Sequence, residues 1–125
     1  MLSYQFYNLV HIVGIVLVMS ALGGAAVHAI AGGPGGSRPV RRLLAILHGI
    51  GAFLLLLGGF GMLARLGLAH GAGFPGWIWG KLLIWAVIAV ALFLPYRRPG
   101  LARPLLLALP ALGGLAAYMA IYKPF

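Results

Sequence analysis

The sequence contains no aspartate, no glutamate and no cysteine. Without side-chain carboxylates, it can form neither an acid pair, nor an oxygen-rich site for a hard cation, nor a Ser-His-Asp triad. Without cysteine, it can form no disulfide, thiolate ligand or iron–sulfur cluster. Histidine and lysine therefore remain as the side chains best suited to carry chemistry.

Charge of either sign is also scarce. Only 7% of the residues are charged, whereas 63% are hydrophobic, well above the roughly 45–50% typical of soluble domains. Mean hydropathy is +1.09. A soluble domain of this size needs a charged surface, so we expect a multi-pass protein of the cell inner membrane. The net charge of +9 lies at the ends of apolar segments, which favours membrane lipid with anionic headgroups over nucleic acid as a partner.

Four segments are long enough to span a bilayer, which takes about 20 apolar residues. They are separated by the Gly- and Pro-containing stretches "AGGPGGSRP", "AHGAGFPG" and "RRPG". Short connections favour antiparallel neighbours. We therefore predict one all-α transmembrane domain over residues 1–125, a four-helix bundle. Its predicted spans are about 5–30, 40–66, 77–96 and 101–122.

The basic residues predict the orientation of this bundle. Lysine and arginine concentrate in cytoplasmic loops. The first and third connections contain six arginines, whereas the other side has only Arg65 and Lys123, with Lys81 just inside a span. We therefore place both termini on the outer side. The arginines that determine this orientation are Arg38, Arg41, Arg42, Arg97, Arg98 and Arg103.

Ionisable groups within spans are costly and usually functional. At 1.5 Å per residue, His11 lies about 9 Å and Lys81 about 7 Å from the outer ends of their spans, so the two match in depth. Trp77, Lys81 and Trp85 recur every four residues and share one helix face. Lys81 could point into the bundle as an axial ligand, or extend to the outer interface beside these tryptophans.

The second span presents a competing site around His48. This histidine shares a face with Ala52, Leu55 and Gly59, whose small members leave room for a planar ring. His48 could therefore be a ligand, alone or with His28 near the same end, or could form a hydrogen bond across helices for stability. His28 otherwise suits an interfacial position, and His70 lies in a Gly-rich loop exposed to solvent.

Haem b is the cofactor that fits these residues best. Zinc needs three or four ligands close together, whereas the histidines are dispersed. A haem needs one or two axial ligands from the protein, together with closely approaching helices and basic groups for its propionates. Arg65 lies at the outer end of the second span, at a depth suited to pairing with a propionate of a haem bound near His11. The abundant glycines favour tight helix packing over a cofactor groove.

Three motifs resemble the four-helix membrane protoporphyrinogen oxidases of the bacterial haem pathway. These motifs are "YNLVHIVGIVLVMSALGG", "GWIWGKLLIW" and "ALPALGGLAAYMAIYKPF". The resemblance implies bound haem b, with His11 and Lys81 as the iron ligands, and it also matches Lys123, Pro124 and Phe125 to the family's last motif. Family members carry acidic residues that this chain lacks. Because the family's reaction removes protons, oxidase activity stays open.

The sequence thus predicts a b-type haem protein of the membrane with a redox or tetrapyrrole-handling role. The expected cofactor-binding residues are His11, Lys81, His48, Arg65, Trp77 and Trp85. The alternative is a non-catalytic membrane subunit or assembly factor that packs against a larger complex. A homodimer built through small-residue faces is a further expectation.

Overall fold

The computed structural model describes residues 3–32, 37–67 and 73–123, and it is helical throughout, without a strand in these ranges. Three helices are long and apolar enough to cross a membrane, which indicates a membrane protein. The helices are α1 (Tyr4–Gly32), α2 (Arg38–Arg65), α3 (Gly76–Ala91), α4 (Leu94–Arg97) and α5 (Ala102–Tyr122), and a 3₁₀ turn covers Pro99–Leu101.

The third predicted span differs from the structure. Instead of one helix over 77–96, the structure has the 16-residue α3, a turn at residues 92–93, and the single-turn helix α4. Pro95 gives the reason, because proline has no amide hydrogen to donate to the carbonyl four residues earlier, and its ring crowds that carbonyl. The shortened α3 therefore falls below the length that a spanning helix usually has.

Glycines determine how closely α1 and α2 approach. A methyl group added at Gly51 would lie 2.8 Å from the backbone nitrogen of Val18, and one at Gly58 would lie 2.8 Å from the Cα atom of His11. As residue numbers rise in α2, those of their partners in α1 fall, so the two helices are antiparallel. Small residues allow this backbone contact between apolar helices.

The most tightly packed part of the molecule lies toward one end. We call this the arginine end, after Arg38, Arg41, Arg42, Arg97, Arg98 and Arg103. Its core joins buried side chains of α1, α3, α4 and α5, among them Val18, Leu22, Ile88, Tyr96 and Leu105.

The opposite half, which we call the lysine half, bears Lys81 and Lys123. Buried residues in α5 stop at Leu109, and none of residues 110–123 is buried. This part of α5 packs partly buried side chains such as Leu112 and Met119 against the core, but none that is fully buried.

Candidate functional site

One face of α2 collects polar side chains from its neighbours. The sequence singled out this face as His48, Ala52, Leu55 and Gly59. In the structure, backbone carbonyls of Ala52 and Leu55 accept side-chain hydrogen bonds, and His48 itself donates to a neighbouring helix. A chain without carboxylates thus uses main-chain oxygens as acceptors at membrane depth, where an unpaired donor is expensive.

His11 is held on this face with one ring nitrogen free. Its Nδ1 donates to the carbonyl oxygen of Leu55 at 2.7 Å, and its ring lies beside Gly59, where a methyl group would approach it to 3.5 Å. Because a carbonyl only accepts, the proton of the neutral ring is on Nδ1. The lone pair of Nε2 remains, and a carbonyl bond of this kind is how proteins orient metal-binding histidines.

Lys81 lies in the same half of the molecule as His11, within electrostatic range of its imidazole. Lys123 is within the same kind of range of Lys81. Both Lys81 and His11 are partly buried. The two residues that the sequence matched by depth thus lie in the same half of the molecule.

Lys123 and Trp77 are in contact at the end of the lysine half. The Nζ atom of Lys123 lies 5.4 Å from the ring centre of Trp77 and donates to the carbonyl oxygen of Ala120 at 3.0 Å. Lys123 also ends α5 in the left-handed conformation, with φ of 48°, and its amide donates to Met119. Its ammonium therefore lies where the carboxyl-terminal dipole of the helix favours a cation.

His48 has a different environment from His11. Its side chain is 6% exposed, and its Nε2 donates to the carbonyl oxygen of Ile88 at 3.1 Å. One turn along α2, the indole of Trp85 donates to Ala52 at 3.2 Å. These two bonds join α2 to α3 in both directions, so His48 and Trp85 are engaged in helix pairing.

His28 takes part in a cluster that the sequence did not reveal. Its Nδ1 shares a hydrogen bond of 2.8 Å with the hydroxyl of Tyr96, whose ring is only 6% exposed. The guanidinium of Arg41 lies 4.1 Å from the centre of the same ring. The sequence alone places these three residues near the same end of the helices. Their contact with one another depends on how α1, α2 and α4 pack.

The remaining predicted residues lie away from these contacts or outside the described ranges. Arg65 is exposed in the last turn of α2, the position in which it was predicted to meet a propionate. His70, Pro124 and Phe125 lie outside the described residues. Within the described part of the chain, no group of three or more potential metal-binding side chains occurs.

No family model, curated protein or solved structure matches this chain. The relation to the membrane protoporphyrinogen oxidases therefore stays a prediction from the three sequence motifs.

Proposed function

We propose that this protein binds one haem b in the lysine half of a transmembrane four-helix bundle and serves a redox or tetrapyrrole-handling role. The observation that carries the proposal is the fixed imidazole of His11, whose Nε2 has no hydrogen-bond partner among the described residues. A histidine oriented through Nδ1 is ready to bind iron through Nε2. Lys81 supplies a second nitrogen from another helix.

The packing of the helices also favours the lysine half as the location of the haem. A macrocycle cannot enter between α1 and α2, where Gly51 and Gly58 bring the backbones into contact. Beyond Leu109, α5 has no buried residue, so its side chains remain accessible from outside the helices. Lys123 and Arg65 lie toward the same half, and their cationic groups can pair with propionate carboxylates. Bound haem would supply one-electron chemistry there.

The environment of His48 favours His11 over it as the ligand. The Nε2 atom of His48 is used by Ile88, and the side chain is buried in helix packing. Binding iron through this nitrogen would break the bond and open the α2–α3 contact. His28 is likewise engaged by Tyr96, so a pair of His28 and His48 would lose two structural bonds.

The visible absorption spectrum of the purified protein, alone and after addition of haem, tests the proposal. We expect a Soret band and sharp reduced α and β bands. His11→Ala should abolish or greatly reduce bound haem, and Lys81→Met should weaken it or shift the bands while leaving helix content unchanged. His48→Ala is the matched control, which should keep haem and lose about 1 kcal/mol of stability.

Two results would contradict this assignment. Haem lost from the His48→Ala protein and kept in the His11→Ala protein would move the site to the arginine end. A featureless spectrum of the folded wild-type protein after haem addition would support the second candidate, a non-catalytic membrane subunit or assembly factor. The bonds His48–Ile88 and Trp85–Ala52 favour that candidate, because they show polar side chains in purely structural roles.

A further inference from the structure

A shallow groove beside the first two turns of α2 has an almost wholly apolar surface, with three exposed arginines among the residues that border it. Arg38, Arg41 and Arg42 line it together with Leu43 and Ile46. Since the sequence has no aspartate or glutamate, no acidic side chain of this chain can neutralise Arg38 or Arg42. The groove therefore has the charge of a site for an external anion.

Arg41, one of the residues that line the groove, contacts the buried core. Arg41 stacks on Tyr96 at 4.1 Å, and Tyr96 is buried and bonded to His28. A cation held over an aromatic face loses little further freedom on binding an anion, because its position is already restricted. The planar guanidinium can also donate two parallel hydrogen bonds to a pair of phosphate oxygens.

An exposed apolar stripe continues from this groove along α2. Its members follow helical spacings of three and four residues, so they share one face. From first to last they cover about 21 Å, more than the roughly 15 Å of a single leaflet's hydrocarbon. The stripe consists of Leu43, Ile46, Ile50, Phe53 and Leu57, each between 46% and 62% exposed.

We propose that this groove and stripe bind one anionic phospholipid, with its phosphate among Arg38, Arg41 and Arg42 and an acyl chain along the stripe. A phosphate group at one end and a hydrocarbon chain at the other reproduce the order of charged and apolar side chains on α2. A soluble phosphate would use the guanidiniums alone and leave the stripe unused. The proposed lipid site does not depend on the proposed haem site, which lies in the opposite half.

Native mass spectrometry of the purified protein in a neutral detergent tests the site, with phosphatidylglycerol and phosphatidylcholine as probes. We expect one phosphatidylglycerol molecule to remain bound and phosphatidylcholine to bind much more weakly. Arg38→Gln/Arg42→Gln should weaken phosphatidylglycerol binding on the order of 30-fold, from a roughly fivefold contribution of each arginine. Arg41 is kept because it also packs on Tyr96.

Arg98→Gln/Arg103→Gln is the matched control, since it removes the same charge from the same end of the molecule but outside the groove. It should retain the lipid. Equal losses in both double variants would overturn the site in favour of diffuse charge attraction, and an unchanged Arg38→Gln/Arg42→Gln protein would overturn it outright.

Measurements on the wild-type protein keep the proposal testable if a variant does not fold. Inorganic phosphate at millimolar concentration should not displace phosphatidylglycerol. Displacement would indicate a soluble-phosphate site and overturn the lipid assignment, as would equal binding of phosphatidylcholine.

Discussion

At the scale of single residues, the histidines differ in what their ring nitrogens contact. His11 uses Nδ1 and keeps Nε2 free, whereas His48 uses Nε2 within the core. Both have a similar apolar sequence around them, so their chemistry is separated by tertiary contacts alone. The preference for His11 as a ligand therefore follows from the acceptor that each ring meets.

Tyr96 provides a residue-scale prediction. Tyr96→Phe keeps the ring under Arg41 but removes the hydroxyl that bonds to His28. We expect the protein to lose about 1 kcal/mol of stability, the typical net value of one hydrogen bond. Unfolding in mixed micelles, followed by circular dichroism, measures this loss.

Tyr122→Phe is the control, because the Tyr122 side chain is 70% exposed. Its stability should equal that of the wild type. Equal stability of the Tyr96→Phe protein would show that the bond to His28 contributes nothing to the fold.

At the scale of helices, the contact between α1 and α2 depends on the absence of side chains. Gly51 faces the backbone of Val18, and Gly58 faces the backbone of His11. Backbone atoms cannot rotate away as a side chain can. The position of His11 over Gly59 therefore depends on how closely these helices approach.

Gly51→Ala is expected to destabilise the α1–α2 pair. The new methyl group would lie 2.8 Å from the Val18 backbone nitrogen, so the helices must separate, at a cost of about 1–3 kcal/mol. Gly49→Ala on the same helix is the control, because a methyl group there meets nothing within 4 Å. It should be neutral or stabilising, since alanine is the better helix former.

The same unfolding measurement distinguishes these two variants. A Gly51→Ala protein as stable as the Gly49→Ala protein would mean that the close approach of α1 to α2 is not needed for the fold. If haem is bound, the Gly51→Ala protein should also bind it more weakly, because movement of α1 displaces His11.

At the scale of the whole molecule, charge and packing divide the chain into two different ends. The arginine end has the buried core and most of the cations, whereas residues 110–123 of α5, in the lysine half, include no buried residue. The proposed haem and lipid sites therefore lie at opposite ends.

The absence of cysteine makes the orientation directly testable. Ser37→Cys places a single thiol at the arginine end, and Leu66→Cys places one at the opposite end of α2, where both side chains are exposed. If the arginines face the cytoplasm, a membrane-impermeant maleimide should label Leu66→Cys in intact cells. Ser37→Cys should be labelled only after permeabilisation.

The reverse labelling pattern would invert the orientation and place the proposed haem near the cytoplasmic surface. Labelling of both thiols in intact cells would mean that α2 does not cross the membrane. The wild-type protein, which has no thiol, is the blank for both measurements.

The sequence by itself determined the helical class and the limits of the long apolar helices. Runs of apolar residues, broken by clusters of Gly and Pro, predict these features locally, and α1, α2 and α5 lie close to the predicted spans. It also singled out His11 and Lys81 by depth, because depth along a helix is a property of residue number.

Only the tertiary structure decided which partner each polar side chain has. The acceptors for His11, His48 and Trp85 are backbone carbonyls, which every residue possesses and no sequence pattern marks. The cluster of His28, Tyr96 and Arg41 likewise joins three separate elements. Such contacts depend on the rotation and spacing of whole helices, which are set by packing over many residues at once.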